Sequence, residues 1–147
     1  MTPSSALTAL IARLNADSNL VECKSPNGLM DGGSMRLNRG FAVKPKALKP
    51  LKGRNRSDVA GMRVSQTFEV TLGHVLKPSS GITAPSQAMT DLHSALKYLF
   101  VPNTTLTSGS GAAIYIGGVT VKYEEGGAYM TQTFGVELHY NLDLTSP

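Results

Sequence analysis

The side chains best suited to catalysis or metal binding are few and scattered in this 147-residue chain. Its histidines, His74, His93 and His139, form no His-x-x-x-His pair, and no Cys-x-x-Cys pair accompanies them. Local spacing therefore gives metal ligation no support, because a metal site needs several convergent ligands. His74 and His139 fall on two long predicted strands, so only the fold could bring them together, whereas His93 is expected to be an ordinary boundary residue.

The single cysteine, Cys23, excludes an intramolecular disulfide, and we expect synthesis in a reducing, cytoplasmic compartment. One glutamate separates Cys23 from the apolar pair Leu20 and Val21. A free cysteine in such a setting is usually buried, so an inert thiol is favoured over a nucleophile.

The acidic residues are also poorly placed for catalysis. Glu69, Glu137 and Asp143 are predicted to lie on the polar faces of long strands, whereas acid–base catalysis needs a pocket that separates two carboxyl pKa values. An enzyme would require a pocket that unites His74 or His139 with Glu69 or Glu137. We therefore expect no enzyme, no catalytic residue, no metal and no cofactor.

The clearest structural pattern is the alternation between Gln132 and Leu144. The apolar positions are Phe134, Val136, Leu138, Tyr140, Leu142 and Leu144, and the residues between them are polar or glycine. Successive side chains on a strand point to opposite faces, so this pattern predicts one long strand with an apolar side and a polar side. One covered face and one wet or partner-facing face is typical of an antiparallel sheet.

A second long strand, predicted from Arg63 to Leu76, repeats part of this pattern. Residues 65–72 match residues 131–138 at the pairs Gln66/Gln132, Thr67/Thr133, Phe68/Phe134, Val70/Val136 and Leu72/Leu138. Two strands that meet the same helices can share a pattern without any duplication. The repeat therefore predicts that both strands place the same face on one core, as neighbours in the sheet.

Two amphipathic helices complete the pattern, predicted over Pro3–Ala16, with Thr2 as its cap, and over Thr83–Phe100. The segments Val119–Glu124 and Tyr129–Leu144 predict a hairpin, and the pair Gly117-Gly118 before it fits a bulge or a tight turn. The expected class is α+β, with both helices packed on one face of a mainly antiparallel sheet. The whole chain, 1–147, is expected to be one domain.

Between the first helix and the second long strand, residues 25–61 predict a long, partly irregular basic loop, part of which could extend a hairpin. Its cations are Arg36, Arg39, Lys44, Lys46, Lys49, Lys52, Arg54 and Arg56. We expect at least Lys44 to Ser57 to project and to become ordered only against a partner. The composition favours a solvated loop or an arm for an acidic protein surface over nucleic acid, because Phe41 is the one aromatic residue between Val21 and Met62.

In its size, its opening helix Pro3–Ala16 and its order of elements from Arg63 onward, the chain resembles the tail terminator proteins of long-tailed bacteriophages, also called tail completion proteins. The helix Pro85–Phe100 and the closing hairpin Val119–Leu144 match best. The basic loop Arg36–Arg56 has no counterpart in this resemblance, which rests on the pattern of elements and not on a diagnostic motif.

The resemblance implies a structural virion protein, assembled in the host cytoplasm and located at the tail or neck. Such a protein forms a ring, usually hexameric, that caps the tail tube, ends tube polymerisation and joins the tail to the head connector, with DNA passing through the lumen. Neither a signal peptide nor an apolar stretch of about 20 residues is visible, so no membrane role is expected.

Within such an assembly we expect two sets of contact residues. The eight cations of the basic loop, Arg54 and Arg56 above all, would bind the tube, the connector or the lumen wall. The polar strand faces would contact neighbouring subunits through Thr67, Glu69, Thr71, Thr131, Thr133, Glu137, His139 and Asn141. The alternatives are a tail tube or other neck subunit and, from another class, a nucleic-acid-binding module that uses residues 36–56.

Overall fold

The computed structural model describes residues 1–25, 28–51, 61–76, 85–100 and 113–144. The described elements are α1 (Pro3–Asn15), β1 (Val21–Glu22), β2 (Met30–Asp31), β3 (Ser34–Met35), β4 (Gly40–Pro50), β5 (Gly61–Val75), α2 (Pro85–Phe100), β6 (Ala113–Glu124) and β7 (Tyr129–Asp143). The predicted α+β fold, with helices on one face of a mainly antiparallel sheet, is confirmed.

The main sheet has the strand order β1-β4-β5-β7-β6. Only β1 is parallel to its neighbour β4, and the other pairs are antiparallel. β5 pairs with β7 along its full length, from Gly61 opposite Asp143 to Val75 opposite Tyr129. The two strands that share a sequence pattern are therefore neighbours, as predicted.

The core lies between the helices and the even-numbered side chains of β5 and β7. Phe68, Val70, Phe134 and Val136 are at most 1% exposed, and the stripe of α1 packs on them through residues such as Leu10. Full burial of one such side chain contributes about 1.5–3 kcal/mol, so this face holds the helices against the sheet.

Two buried glutamines on this apolar face hydrogen-bond to one helix each. The amide nitrogen of Gln66 donates to the carbonyl of Pro3 in α1 over 3.5 Å, and the Gln66 oxygen accepts from the Tyr140 hydroxyl over 2.6 Å. The amide nitrogen of Gln132 donates to the carbonyl of Ala88 in α2 over 2.9 Å. The two glutamines that match in the repeated pattern therefore play the same part, because each hydrogen-bonds the sheet to one of the two helices.

Both helix starts follow simple chemical rules. Thr2 caps α1, because its hydroxyl accepts from the Ser5 amide over 3.1 Å while the Ser5 hydroxyl accepts from the Thr2 amide over 2.9 Å. Pro85, which lacks an N–H, opens α2 at the position where an N–H would have no helical partner. Within the described residues, neither helix is long and apolar enough to cross a membrane.

The segment predicted as a basic loop is in part a regular strand. β4 pairs with β5 from Gly40 opposite Gly73 to Pro50 opposite Val64. The hairpin alternative therefore describes the chain as far as Pro50, and the expectation that Lys44 and the residues after it become ordered only against a partner is wrong over this stretch. Proline is depleted in strands but tolerated at a sheet edge, so the prolines of β4 made this strand hard to predict from the sequence pattern. Residues 52–60 lie outside the described part of the chain.

The glycine pair of β6 is a bulge, not a turn. The pairing of β6 with β7 shifts by one residue between Ile116 and Val119, so Gly117 and Gly118 together face one residue of β7. The segment from Ala113 to Glu124 is therefore a single strand that continues through both glycines.

A cross-strand pair of glycines makes room for the small ribbon of β2 and β3. Gly40 lies opposite Gly73, and Leu29, which is 4% exposed, packs over both glycines, while Met35 packs over Gly73. A Cβ atom at Gly40 would come within 2.8 Å of the Leu37 Cβ and 2.9 Å of a Leu29 methyl. The ribbon can therefore lie on the sheet only because these side chains are missing.

We predict that Gly40→Ala destabilises the protein by about 1–3 kcal/mol through overpacking, measured as the free energy of unfolding in urea. Gly118→Ala is the matched control, because a Cβ there meets no described atom within 4 Å, and it should change stability by less than about 1 kcal/mol. Equal stability of the two variants would contradict the packing described for Leu29.

Candidate partner-binding surface

The side of the sheet opposite the helices is called the open face, and it consists of the odd-numbered side chains of β5 and β7 with their neighbours on β4 and β6. All eight residues predicted at subunit contacts lie on this face. They are Thr67, Glu69, Thr71, Thr131, Thr133, Glu137, His139 and Asn141. The hydroxyls of Thr71 and Thr133, which lie opposite each other, are 3.2 Å apart and hydrogen-bonded.

A carboxylate organises the middle of the open face. One oxygen of Glu137 accepts from the Ser65 hydroxyl and from the Nε2 of His139, each over 2.7 Å. These hydrogen bonds, that of His139 first, hold the pKa of Glu137 below its ordinary value. The ring of Tyr115 lies 4.7 Å from the imidazole of His139 and limits its movement. The result is a preformed polar cluster on a half-buried surface.

This cluster unites His139 with Glu137, one of the pairs that the enzyme alternative required. The Ser65 hydroxyl donates to the carboxylate, and the imidazole bonds to the same carboxylate oxygen and not to the hydroxyl. The serine–histidine contact by which many hydrolases activate a nucleophile is therefore not formed between Ser65 and His139. No group of three or more potential metal ligands occurs within the described ranges. The arrangement orients side chains and supplies hydrogen-bonding capacity to a surface.

A groove of about 250 Å³ lies beside the cluster. It follows the line of glycines that crosses the sheet at Gly117 and Gly135, and Thr67, Tyr115 and Glu137 form its walls. The nearest atom to a Cβ built at Gly135 is the Phe68 carbonyl oxygen at 4.0 Å. The groove therefore has room for side chains that approach from outside.

The end of the open face nearest β2 and β3 is closed. Thr131 is only 7% exposed, and it lies opposite Gly73, over which Leu29 and Met35 pack. Thr131 thus shares the predicted face but does not present a surface to a partner. The accessible part of the face runs from Thr133 to Asn141 on β7 and along the facing part of β5.

Three of the predicted basic contact residues border the open face on β4. Lys44, Lys46 and Lys49 are exposed, and Lys46 forms an ion pair of 3.4 Å with Glu69. Arg36 is exposed near the ribbon of β2 and β3. The remaining predicted cations, Lys52, Arg54 and Arg56, lie outside the described residues.

Arg39, also predicted to bind a partner, makes an internal ion pair. Its guanidinium donates to both oxygens of Asp91 in α2, over 2.7 and 2.9 Å. Its backbone has a φ of 56°, a left-handed conformation that side chains other than glycine seldom adopt and that costs about 1 kcal/mol. The bidentate contact with Asp91 holds Arg39 in this strained position.

Asp91 is the centre of a buried polar network that sequence reasoning missed. It is 1% exposed and also accepts from the Nε2 of His74 over 2.8 Å and from the amide of Gln87 over 3.1 Å. A signal existed, because Asp91 lies three residues after Ala88 and four before Ala95 on the apolar stripe of α2. A carboxylate on the buried side of a helix must have partners.

The protonation states follow from this geometry. Burial alone would raise the pKa of Asp91, but the hydrogen bonds from Arg39, His74 and Gln87 outweigh it and hold that pKa below its ordinary value. An ionised carboxylate can only accept, so the Nε2 of His74 carries the proton and its Nδ1 is bare. That Nδ1 has no partner within the described residues, and burial lowers the pKa of His74.

We predict that Asp91→Ala lowers the free energy of unfolding by about 3 kcal/mol. This value is at the low end for a buried pair, because the Arg39 side chain is 32% exposed and can turn towards water. Urea unfolding followed by circular dichroism measures it. Glu69→Ala is the control, since its ion pair with Lys46 is exposed and worth at most about 1 kcal/mol. Equal losses would contradict the central role of Asp91.

We also predict that acid destabilises the protein through His74. Its pKa is below 6.5 in the folded state and near 6.5 when unfolded, so below pH 6.5 the unfolded chain binds the additional proton. Stability is therefore complete above pH 6.5 and falls as the pH drops towards the folded pKa, by up to about 1.4 kcal/mol per pH unit. His74→Gln should flatten this dependence between pH 6.5 and 5, and His93→Gln, at an exposed position, should not.

Similarity to characterised proteins adds no further constraint on this surface. No family model matches the chain, and no curated protein matches it. The functional assignment therefore rests on the geometry of the open face and on the pattern of elements along the chain.

Proposed function

We propose that this protein is a structural subunit of a bacteriophage tail or neck, without catalytic activity. Its subunits form a hexameric ring that caps the tail tube, ends tube polymerisation and joins the tail to the head connector. The assignment follows from the resemblance to tail terminator proteins. The observation that carries it is the open face, which no described helix covers.

The open face has the properties of a docking surface. Its side chains are mainly polar, and several of them are already held in place by the hydrogen bond between Thr71 and Thr133 and by the cluster around Glu137. Ordering a surface in advance reduces the entropy lost when a partner binds. The groove at Gly135 adds a concave site for a neighbour's side chain.

A ring requires a head-to-tail contact between two different surfaces of the subunit. In this proposal the open face of one subunit receives another surface of its neighbour, and the contact closes after six subunits. The exposed lysines of β4 lie at the border of this face. In this proposal these lysines and the basic residues that follow in the sequence bind the tube, the connector or DNA in the lumen.

A tail tube subunit or another neck subunit is the nearest alternative. Such a subunit would use the same kind of face but would stack into long cylinders instead of stopping at a ring. The exposed Lys44 and Lys49 also favour a nucleic-acid-binding alternative, which predicts retention on DNA or RNA that falls steeply with salt. Replacing Lys44, Lys46, Lys49 and Lys52 by Gln would then abolish that retention.

The proposal predicts a ring of discrete mass in light scattering and a closed annulus in negative-stain images. Gly135→Arg should abolish the ring while the fold persists, because the glycine has room for a side chain and lies in the middle of the open face. Thr8→Arg, on the exposed side of α1, is the matched control and should leave the ring intact. Rings that survive Gly135→Arg, or cylinders in its place, would overturn the assignment.

A second expectation concerns the basic segment. Reversing the charge of Arg54 and Arg56 to Glu should prevent tail-to-head joining in an assembly reaction while leaving the ring itself intact, because these residues are proposed to dock other virion proteins. Normal joining by this variant would remove the docking role of the segment.

A further inference from the structure

β6 exposes an edge that natural sheets normally protect. Among the described strands it pairs with β7 alone, so alternate N–H and C=O groups along its other side have no strand partner. Its side chains are also unusually apolar for an exposed strand. Tyr115 and Tyr123 are 53% and 55% exposed, and Val119 and Val121 are 37% and 38% exposed. A long, apolar, unpaired edge is a template for another strand.

The opposite edge of the sheet is protected in the usual ways. β4 carries Pro45 and Pro50, which cannot donate hydrogen bonds, together with exposed lysines and a register shift after Pro45. The stretch of β6 from Val119 to Glu124 contains no proline and no bulge. The two edges therefore differ in kind, and β6 is the one that can accept a strand.

We propose that β6 pairs with β6 of a second copy of this chain, antiparallel, about a two-fold axis at Val121. In this register Val121 lies opposite its own equivalent, Val119 lies opposite Tyr123 of the second copy, and Thr120 lies opposite its Lys122. The five-stranded sheets then join into one continuous sheet across the axis.

In this register the side chains of β6 are complementary to those of β6 in the second copy. Val119, Val121 and Tyr123 lie on the helix side of the sheet, because they pair with Phe134, Gln132 and Met130 of β7. Pairing about Val121 brings an aromatic ring onto a β-branched side chain on both sides of the axis. Each such cross-strand pair contributes about 0.2–1 kcal/mol beyond the backbone hydrogen bonds.

The charges of the strand agree with the same register. Lys122 faces a threonine of the second copy, so no like charges lie opposite each other, and its ion pair of 3.1 Å with Glu124 on the same strand can persist. A register with Lys122 on the axis would place two ammonium groups together, which is unfavourable. Each chain uses this edge once, so association through the edge of β6 stops at two copies.

This pairing does not rest on the proposed ring. The ring is proposed to form through the open face, whereas the dimer uses the outer edge of β6, so the two contacts occupy different surfaces. A failure of one experiment leaves the other proposal standing.

Cysteine cross-linking in the full chain tests the register. In a Cys23→Ser background, Val121→Cys should form a disulfide dimer under mild oxidation, since directly opposite residues lie at about 5.5 Å or less between Cα atoms. Thr120→Cys is the matched control. Its own equivalent is two positions away along the strand, beyond disulfide reach, so it should cross-link only when mixed with Lys122→Cys. Cross-linking of Thr120→Cys alone, or none at Val121→Cys, would overturn the register.

The solution mass tests the contact itself. With Gly135→Arg present to prevent rings, the chain should show twice its monomer mass at micromolar concentration. Adding Val121→Lys places like charges on the axis and should weaken dimerisation at least tenfold. Val21→Lys, at an exposed valine of β1, should not. A monomer in the Gly135→Arg background, or an unchanged dimer with Val121→Lys, would overturn the proposal.

Discussion

The antiparallel pairing of β5 with β7 is the constraint on which the other features depend. Both strands have 15 residues and pair throughout, so the register fixes which side chains face the helices and which face away. A slip by one residue would exchange the core for the open face on one strand. Gln66 and Gln132, each bonded to a different helix, make such a slip costlier, because both amides would lose their buried partners.

The network around Asp91 is a second, electrostatic constraint. It joins the turn before β4, the end of β5 and the first turns of α2, three segments that are distant in the chain. Such a buried anion is weak support for stability by itself, because desolvation offsets much of the attraction. The network instead fixes the position of α2. This helix can rotate or slide very little while one carboxylate accepts hydrogen bonds from Arg39, His74 and Gln87.

Sequence periodicity was sufficient for elements that are half buried and regular. It located both helices, both long strands and their adjacency, since the alternation reports burial directly. It did not give the length of β4, which beyond its short pairing with β1 is an edge strand whose prolines and lysines have no counterpart in the core. It also failed for the cluster of Ser65, Glu137 and His139. That cluster depends on the register that places residue 65 opposite residue 139, which no single strand pattern contains.

The position of β7 in the sheet has a kinetic consequence. β7 is synthesised after every other described element, yet it lies between β5 and β6 and supplies much of the core. Its far end also bonds the start of the chain, where the Asp143 amide donates to the Met1 carbonyl over 2.9 Å. The earlier segments therefore cannot complete the sheet and core until translation has passed residue 143, and the apolar faces of β5 and β6 stay uncovered until then. We expect slow folding that is completed only after β7 has been synthesised, with an aggregation-prone nascent chain until then.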